Sequence, residues 1–167
     1  SATRITRRVI EAAPQLRVIG RAGVGVDNID LDAATDRGVV VMNAPTGNTT
    51  TTAELAIALL CALARNVPQA DRSVRSGSWK NKHLMGTELS GKTLGVVGLG
   101  RIGRVVATRG RGLAMHVMAY DPYLSGQRSP IEGIELTELD ELLARSDFVT
   151  LHVPLNDSTH HLISRQR

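Results

Sequence analysis

The sequence predicts an α/β protein built on parallel sheets, and three observations carry that expectation. Strand-like apolar runs alternate with helix-like stretches in two successive blocks, near residues 16–42 and 93–120. In each block a glycine-rich loop joins the first strand to the helix. Aromatic residues make up only 2% of the chain, as Trp79, Tyr120, Tyr123 and Phe148. The core must therefore be Val, Ile, Leu, Ala and Met, which suits a parallel sheet buried between helices.

Length and charge narrow the possibilities. The chain has 167 residues, enough for one ordinary domain or parts of two. It starts at Ser1 without an initiator Met, and Arg167 falls within what looks like a helix start, so both ends are expected to lie inside a longer chain. The net charge is +4, and the densest basic run is Arg101, Arg104, Arg109 and Arg111. No aromatic residue is interleaved with it, so a base-stacking surface is unsupported and no nucleic-acid partner is expected. The single cysteine, Cys61, excludes an internal disulfide framework and is expected to be packing. No signal-peptide pattern opens the chain, and the longest apolar stretch, 55–64, is too short to span a bilayer. No membrane partner and a cytoplasmic location are expected.

In the first block a short strand is expected over 16–20, followed by the loop 22–28. Asp30 begins a short helix with Asp32 in its first turn, where the helix dipole favours acids, and Gly38 ends it. The next strand runs over 39–42 and stops at Ala44-Pro45, completing a βαβ unit. Thr51 and Glu54 then fit a capping box, opening a helix to about Asn66. That helix is apolar on nearly all sides, which predicts burial between two layers. From Pro68 to Lys82 a second, more exposed helix and a loop are expected, and Ser90-Gly91-Lys92 forms a turn. The second block places strands at 93–97, 116–120 and 147–152. A helix runs from the glycine loop to about Leu113, and another, capped by Thr137, runs through Ala144.

The segment Gly98-Leu99-Gly100-Arg101-Ile102-Gly103 is a GxGxxG pattern. Such a pattern alone is weak, but this one follows an apolar strand, opens a helix and lies inside a βαβ unit of the expected size. Gly98 then permits the tight turn, Gly100 lets the backbone approach a pyrophosphate, and Gly103 lets helix and strand pack closely. The helix N-terminus, with Arg101 and Ile102 in its first turn, offers free N–H groups and the positive end of its dipole to phosphates. Asp121 ends the following strand at the interval expected for the acid that binds the adenosine ribose hydroxyls. A carboxylate there repels the additional phosphate of NADP, so the expected cofactor is NAD. A plain cap of the turn before Pro122 is the competing reading of Asp121. The implied unit is a Rossmann-type parallel sheet.

Five stretches in this order resemble the D-2-hydroxyacid dehydrogenases. They are Gly20-Arg21-Ala22-Gly23-Val24-Gly25-Val26-Asp27-Asn28-Ile29-Asp30, then Val41-Met42-Asn43-Ala44-Pro45, then Gly86-Thr87-Glu88-Leu89-Ser90-Gly91-Lys92-Thr93-Leu94-Gly95, then the glycine pattern with Tyr120-Asp121-Pro122, and His152-Val153-Pro154-Leu155. The stretch 85–89 before Gly91-Lys92 discriminates most among members. The resemblance implies a two-domain enzyme: residues 1–45 would be part of a flavodoxin-like substrate-binding domain, and 46–167 the first half of the NAD-binding domain. The helix after Thr51 would cross between domains and form dimers, giving a homodimer or higher homo-oligomer. The resemblance also implies that Arg21, Ala22, Gly23 and Val24 face a substrate anion, with Val24 also reaching the cofactor. Asn48 would lie near nicotinamide and substrate, and Val153 and Pro154 along the cofactor. Lys80 and Lys82 lie in a loop that the resemblance places near a neighbouring subunit's active site, where one would reach a substrate phosphate. A solvated lysine loop and, for Arg21, a surface charge are the competing readings.

The implied reaction is NAD-dependent oxidation of a small-molecule 2-hydroxy acid, with an Arg holding the substrate and a His–Glu pair moving the proton. Those three residues are expected downstream of Arg167, so no catalytic residue is assigned here. His83, His116, His152, His160 and His161 are given core, surface or turn roles, and no spacing resembles a metal site. Another hydroxyacid reductase of the family and a non-enzymatic, corepressor-like NAD sensor are the alternatives. For the isolated chain, a half-sheet with strand 93–97 as an unpaired edge predicts inactivity and association.

Overall fold

The computed structural model describes residues 3–79 and 84–165, which form two compact units dividing between Thr49 and Thr50. All strand pairing in both is parallel.

The first unit holds α1 (Arg7–Glu11), β1 (Val18–Arg21), α2 (Leu31–Asp36) and β2 (Val40–Asn43). Strands β1 and β2 pair with Val18 opposite Val40 and Arg21 opposite Asn43. Asp30 caps α2 by accepting the Ala33 N–H at 2.9 Å, and Asp32 occupies the first turn. Gly38, at φ 63°, turns the chain out of the helix in a conformation that other residues rarely adopt. Ile10, Ala33, Ala34 and Val39 form the small core, with Ile19 and Val41 packed on it. Helix α1 is an addition to the sequence expectation.

The second unit contains most of α3 (Thr49–Ala64), then α4 (Val67–Arg75), β3 (Thr93–Val97), α5 (Arg101–Gly112), β4 (His116–Tyr120), β5 (Glu135–Leu136), α6 (Leu139–Arg145) and β6 (Phe148–Leu151). The sheet order is β5-β4-β3-β6. On one face Leu94 and Val96 pack with Val106 and Ala107 of α5 and Ala53 of α3. On the other, Val97 packs with Leu139 and Leu142 of α6. Asp147 ties the start of β6 to β3 by accepting the Thr93 N–H at 2.8 Å. That bond, together with Lys92, holds its carboxyl below the usual carboxylate range.

Several sequence expectations change here. Strand 93–97 is not an edge: β3 pairs with β4 on one side and β6 on the other, and β6 has no partner on its outer side among the described residues. Helix α3 is not buried throughout. Ala53 and Ala64 are buried, but Leu55, Leu59 and Leu63 are 60–72% exposed, a stripe at i, i+4, i+8. The helix starts at Thr49, so Thr51 lies inside the first turn rather than at its cap. Glu54 pairs instead with Arg109 of α5 at 3.0 Å. Helix α6 is capped at Glu138, one residue after Thr137, whose hydroxyl bonds to Glu141. Among the described residues no single helix is long and apolar enough to cross a membrane; α3 and α4 meet at a 65° bend.

Candidate cofactor site and anion loop

The three glycines of the pattern differ physically. Gly98 has φ 92°, and a Cβ there would meet the His152 carbonyl oxygen at 2.7 Å and Val153 Cγ1 at 2.8 Å. The loop therefore lies directly against His152 and Val153 at the end of β6. At Gly103 a Cβ would fall on the carbonyl of Gly98, so the first turn of α5 approaches the loop too closely for any side chain. Gly100 is the opposite case. Its φ is −71°, open to any residue, and nothing lies within 4 Å of its Cβ position. Neither backbone conformation nor packing requires glycine at this position, and the space in front of it is open.

Helix α5 begins beside that space. Its N-cap, Gly100, provides no side-chain cap, and its first turn carries no acid. The N-terminus of the helix and the positive end of its dipole thus lie beside an open region, as an anion site requires. Arg104 braces the loop by donating from Nε to the Leu99 carbonyl at 2.9 Å. Arg101 is exposed, while Ile102 is half-buried against the core. The open space at Gly100 and the N-terminus of α5 fit the diphosphate of a dinucleotide.

Asp121 follows β4 and is half-buried. Its Oδ2 accepts the Leu99 N–H at 2.9 Å, and its Oδ1 accepts the Tyr123 N–H at 3.0 Å. The turn-cap reading of this residue is thus part of its structural role, and a brace on the glycine loop is added to it. Each carboxylate oxygen retains a further lone pair for a ribose hydroxyl. Beside it a cavity of about 290 Å³ opens at the carboxyl ends of β4 and β5.

Farther along, the Pro154 carbonyl accepts the Thr159 hydroxyl at 2.5 Å, fixing the turn after β6. His152 is half-buried, and its Nε2 lies 2.9 Å from the Thr150 hydroxyl. Burial pushes its imidazole below the ordinary histidine range, toward the neutral form.

The residues expected to meet the substrate form their own cluster in the first unit. Arg21 donates from Nε to Asn28 Oδ1 at 3.2 Å, and its guanidinium folds over Gly23. Asn43 donates to the Val24 carbonyl at 2.7 Å, and Ala44 N–H to the Gly23 carbonyl at 2.9 Å, so β2 holds the loop in place. The Gly23 N–H is already engaged by the Arg21 carbonyl at 2.9 Å. A cavity of about 330 Å³ is lined by Gly20, Arg21, Ala22 and Asn28, among others. Asn48 is exposed just before α3. Lys80, Lys82 and His83 lie outside the described residues. Sequence reasoning missed Asn28 and Asn43 as braces of this loop and the backbone partners of Asp121. Side-chain amides and acids beside glycine loops are the available signal, but their partners are set by folding.

Comparison with known proteins agrees with this geometry. Residues 57–167 match the family model described as D-isomer specific 2-hydroxyacid dehydrogenase, NAD binding domain. The chain is 56% identical to the D-3-phosphoglycerate dehydrogenase of Archaeoglobus fulgidus, over 99% of this chain and 31% of that protein. It is 52% identical to the protein of the same name from Mycobacterium tuberculosis, over 99% of this chain and 31% of that one. The chain thus spans about a third of the length of the curated relatives it matches. A crystal structure of D-lactate dehydrogenase from Aquifex aeolicus, complexed with NAD and lactic acid, superposes with a TM-score of 0.86 at 33% identity. The match covers 98% of this chain and 49% of that one. A crystal structure of a protein from Thermus thermophilus gives a TM-score of 0.89 at 40% identity, covering 98% and 52% of the two chains. With a parallel sheet, a dinucleotide-shaped glycine loop and a family match over about two thirds of its length, the chain belongs to the D-isomer specific 2-hydroxyacid dehydrogenases, whose cofactor is NAD.

Proposed function

We propose that this chain is the cofactor-holding framework, with part of the substrate framework, of an NAD-dependent D-3-phosphoglycerate dehydrogenase. The reaction is oxidation of D-3-phosphoglycerate to 3-phosphohydroxypyruvate in L-serine biosynthesis. The observation that carries it is identity of about half, over essentially the whole chain, to relatives bearing that name. Residues 1–45 are assigned to the substrate-binding domain and 46–167 to the first half of the NAD-binding domain.

Bound NAD supplies the acceptor for the hydride taken from the substrate carbon. This chain supplies position. Gly98, Gly100, Arg101, Ile102 and Gly103 hold the diphosphate, Asp121 the adenosine ribose, and Val153 and Pro154 the flank of the cofactor. Arg21, Ala22, Gly23 and Val24 form the wall for the substrate carboxylate, with Arg21 as the nearby cation. Asn48 serves the nicotinamide end, and the Arg, His and Glu of the chemistry are assigned to sequence after Arg167. The partner set is a small 2-hydroxy acid and a second copy of the chain over Leu55, Leu59 and Leu63, with no nucleic acid and no membrane, in the cytoplasm.

The test is a substrate panel on the full-length protein. D-3-phosphoglycerate is expected to exceed unphosphorylated 2-hydroxy acids in kcat/KM by roughly a hundredfold or more, since an unmatched phosphate site penalises the shorter acid. Equal efficiency on D-lactate or glycerate would reject the assignment. Lys80 and Lys82 are proposed to read the phosphate as point charges. Their joint replacement by Ala should reduce efficiency for the phosphorylated acid alone; equal losses on both acids would remove the loop from the site.

Asp121→Ala is expected to weaken NAD roughly tenfold or more and to relax the preference for NAD over NADP, since it loses a ribose acceptor as well as the brace on Leu99. Asp121→Asn, which keeps an acceptor for one of the two backbone N–H groups on Asp121, should relax the preference while losing less affinity. An unchanged NAD/NADP ratio in both variants would sink the ribose role.

A further inference from the structure

We propose that Glu138 is a second cofactor-selecting carboxylate, acting beside Asp121 to exclude NADP. The inference begins from strand register. β4 and β5 pair in parallel with Met118 opposite Glu135 and Ala119 opposite Leu136, and the Thr137 N–H donates to the Ala119 carbonyl at 3.0 Å. Continued by two residues, that register sets Asp121 beside Glu138 at the carboxyl ends of neighbouring strands. Adjacent strands lie about 5 Å apart.

Both acids line the cavity of about 290 Å³ at these strand ends, with Tyr120, Ser125 and Thr137. No Lys or Arg is among its described lining residues. Asp121 is fixed by its two backbone donors. Glu138 is exposed, and its carboxylate is held only loosely, with the Ser125 hydroxyl donating to Oε1 at 3.4 Å. It occupies the N-cap of α6 without a side-chain cap bond, so the fold does not depend on its carboxylate.

The charge balance follows. A ribose with free hydroxyls is neutral and takes Asp121 as its hydrogen-bond acceptor, with no demand on Glu138. A 2′-phosphate brings about −1.5 to −2 of charge to two carboxylates with no compensating cation on the described cavity wall. Asp121 supplies the hydrogen bonds that select the hydroxyl, and Glu138 adds repulsion that falls mainly on the 2′-phosphate, with the more distant diphosphate screened.

Glu138→Gln and Glu138→Lys in the full-length protein, titrated calorimetrically with NAD and NADP, test this. NAD affinity is expected to stay at the unmodified value in both. NADP should tighten about fivefold with Gln and roughly twentyfold with Lys at low salt, and the gain should shrink as salt screens it. Glu138→Asp should retain the original discrimination. NADP affinity unchanged in both Gln and Lys variants would overturn the inference, as would parallel changes for the two cofactors. The inference rests on NAD binding at the glycine loop. The titration contains no substrate, so its failure would leave the D-3-phosphoglycerate assignment standing.

Discussion

Gly100→Val in the full-length protein is expected to leave the fold intact and abolish measurable NAD binding. The two halves of this expectation come from one geometry. Valine tolerates φ −71°, and its Cβ would meet no atom within 4 Å, so the chain has no internal reason to resist it. The same branched side chain would stand in the open space proposed for the diphosphate beside the N-terminus of α5, and would hold the phosphates off by more than a hydrogen-bond length. Thermal melting should shift by no more than about 2 °C, within the range of surface substitutions, while calorimetric titration with NAD shows no saturable heat. Unimpaired NAD affinity would mean that the diphosphate does not cross this loop.

Gly103→Val should do the reverse damage. Three residues along the same loop, the new Cβ would collide with the carbonyl of Gly98, which is backbone and has no rotamer to change, and press on Val96 Cγ1 at 3.4 Å. Relief requires α5 to move away from β3, opening the packing of Val106 and Ala107 against Leu94 and Val96. A cost on the order of 3 kcal/mol is expected, the upper range for overpacking a well-filled core. That corresponds to a loss of roughly 6–12 °C in Tm for a chain of this size. A melting temperature matching the parent would show that α5 and the loop are not in the contact that the structure gives them.

These two glycines occupy equivalent letters in a motif, and the sequence assigned each a purpose without distinguishing their internal cost. Strands 93–97 and 116–120 were legible to the residue because short, mostly apolar runs stop there at Lys92, Gly98 and Asp121. Asp30 as a cap and Gly38 as a stop were legible because their chemistry is local. Pairing order was not, since β3 lies between β4 and β6 for reasons of crossover handedness and packing that no single strand encodes. Nor was the exposure of α3: a helix rich in Leu and Ala has the same sequence whether its cover comes from its own chain or from another. The two-residue β5 is too short to carry a periodicity, and Glu138 drew no notice because its proximity to Asp121 arises only when β5 is laid against β4.

The parallel arrangement of the four-stranded sheet also sets the order in which it can assemble. No neighbouring pair is joined by a tight turn, so each ladder must wait for the chain to close a larger loop. β4 returns to β3 after the single helix α5; β6 returns to β3 only after β4, β5 and α6 have been threaded through as well. The β3–β4 ladder, closed over the shorter loop, is therefore expected to form first and β6 to dock later, against a platform already formed. Since the His152 carbonyl and the Val153 side chain wall the Gly98 turn only once β6 has docked, the glycine loop is expected to take its final shape at the end of folding.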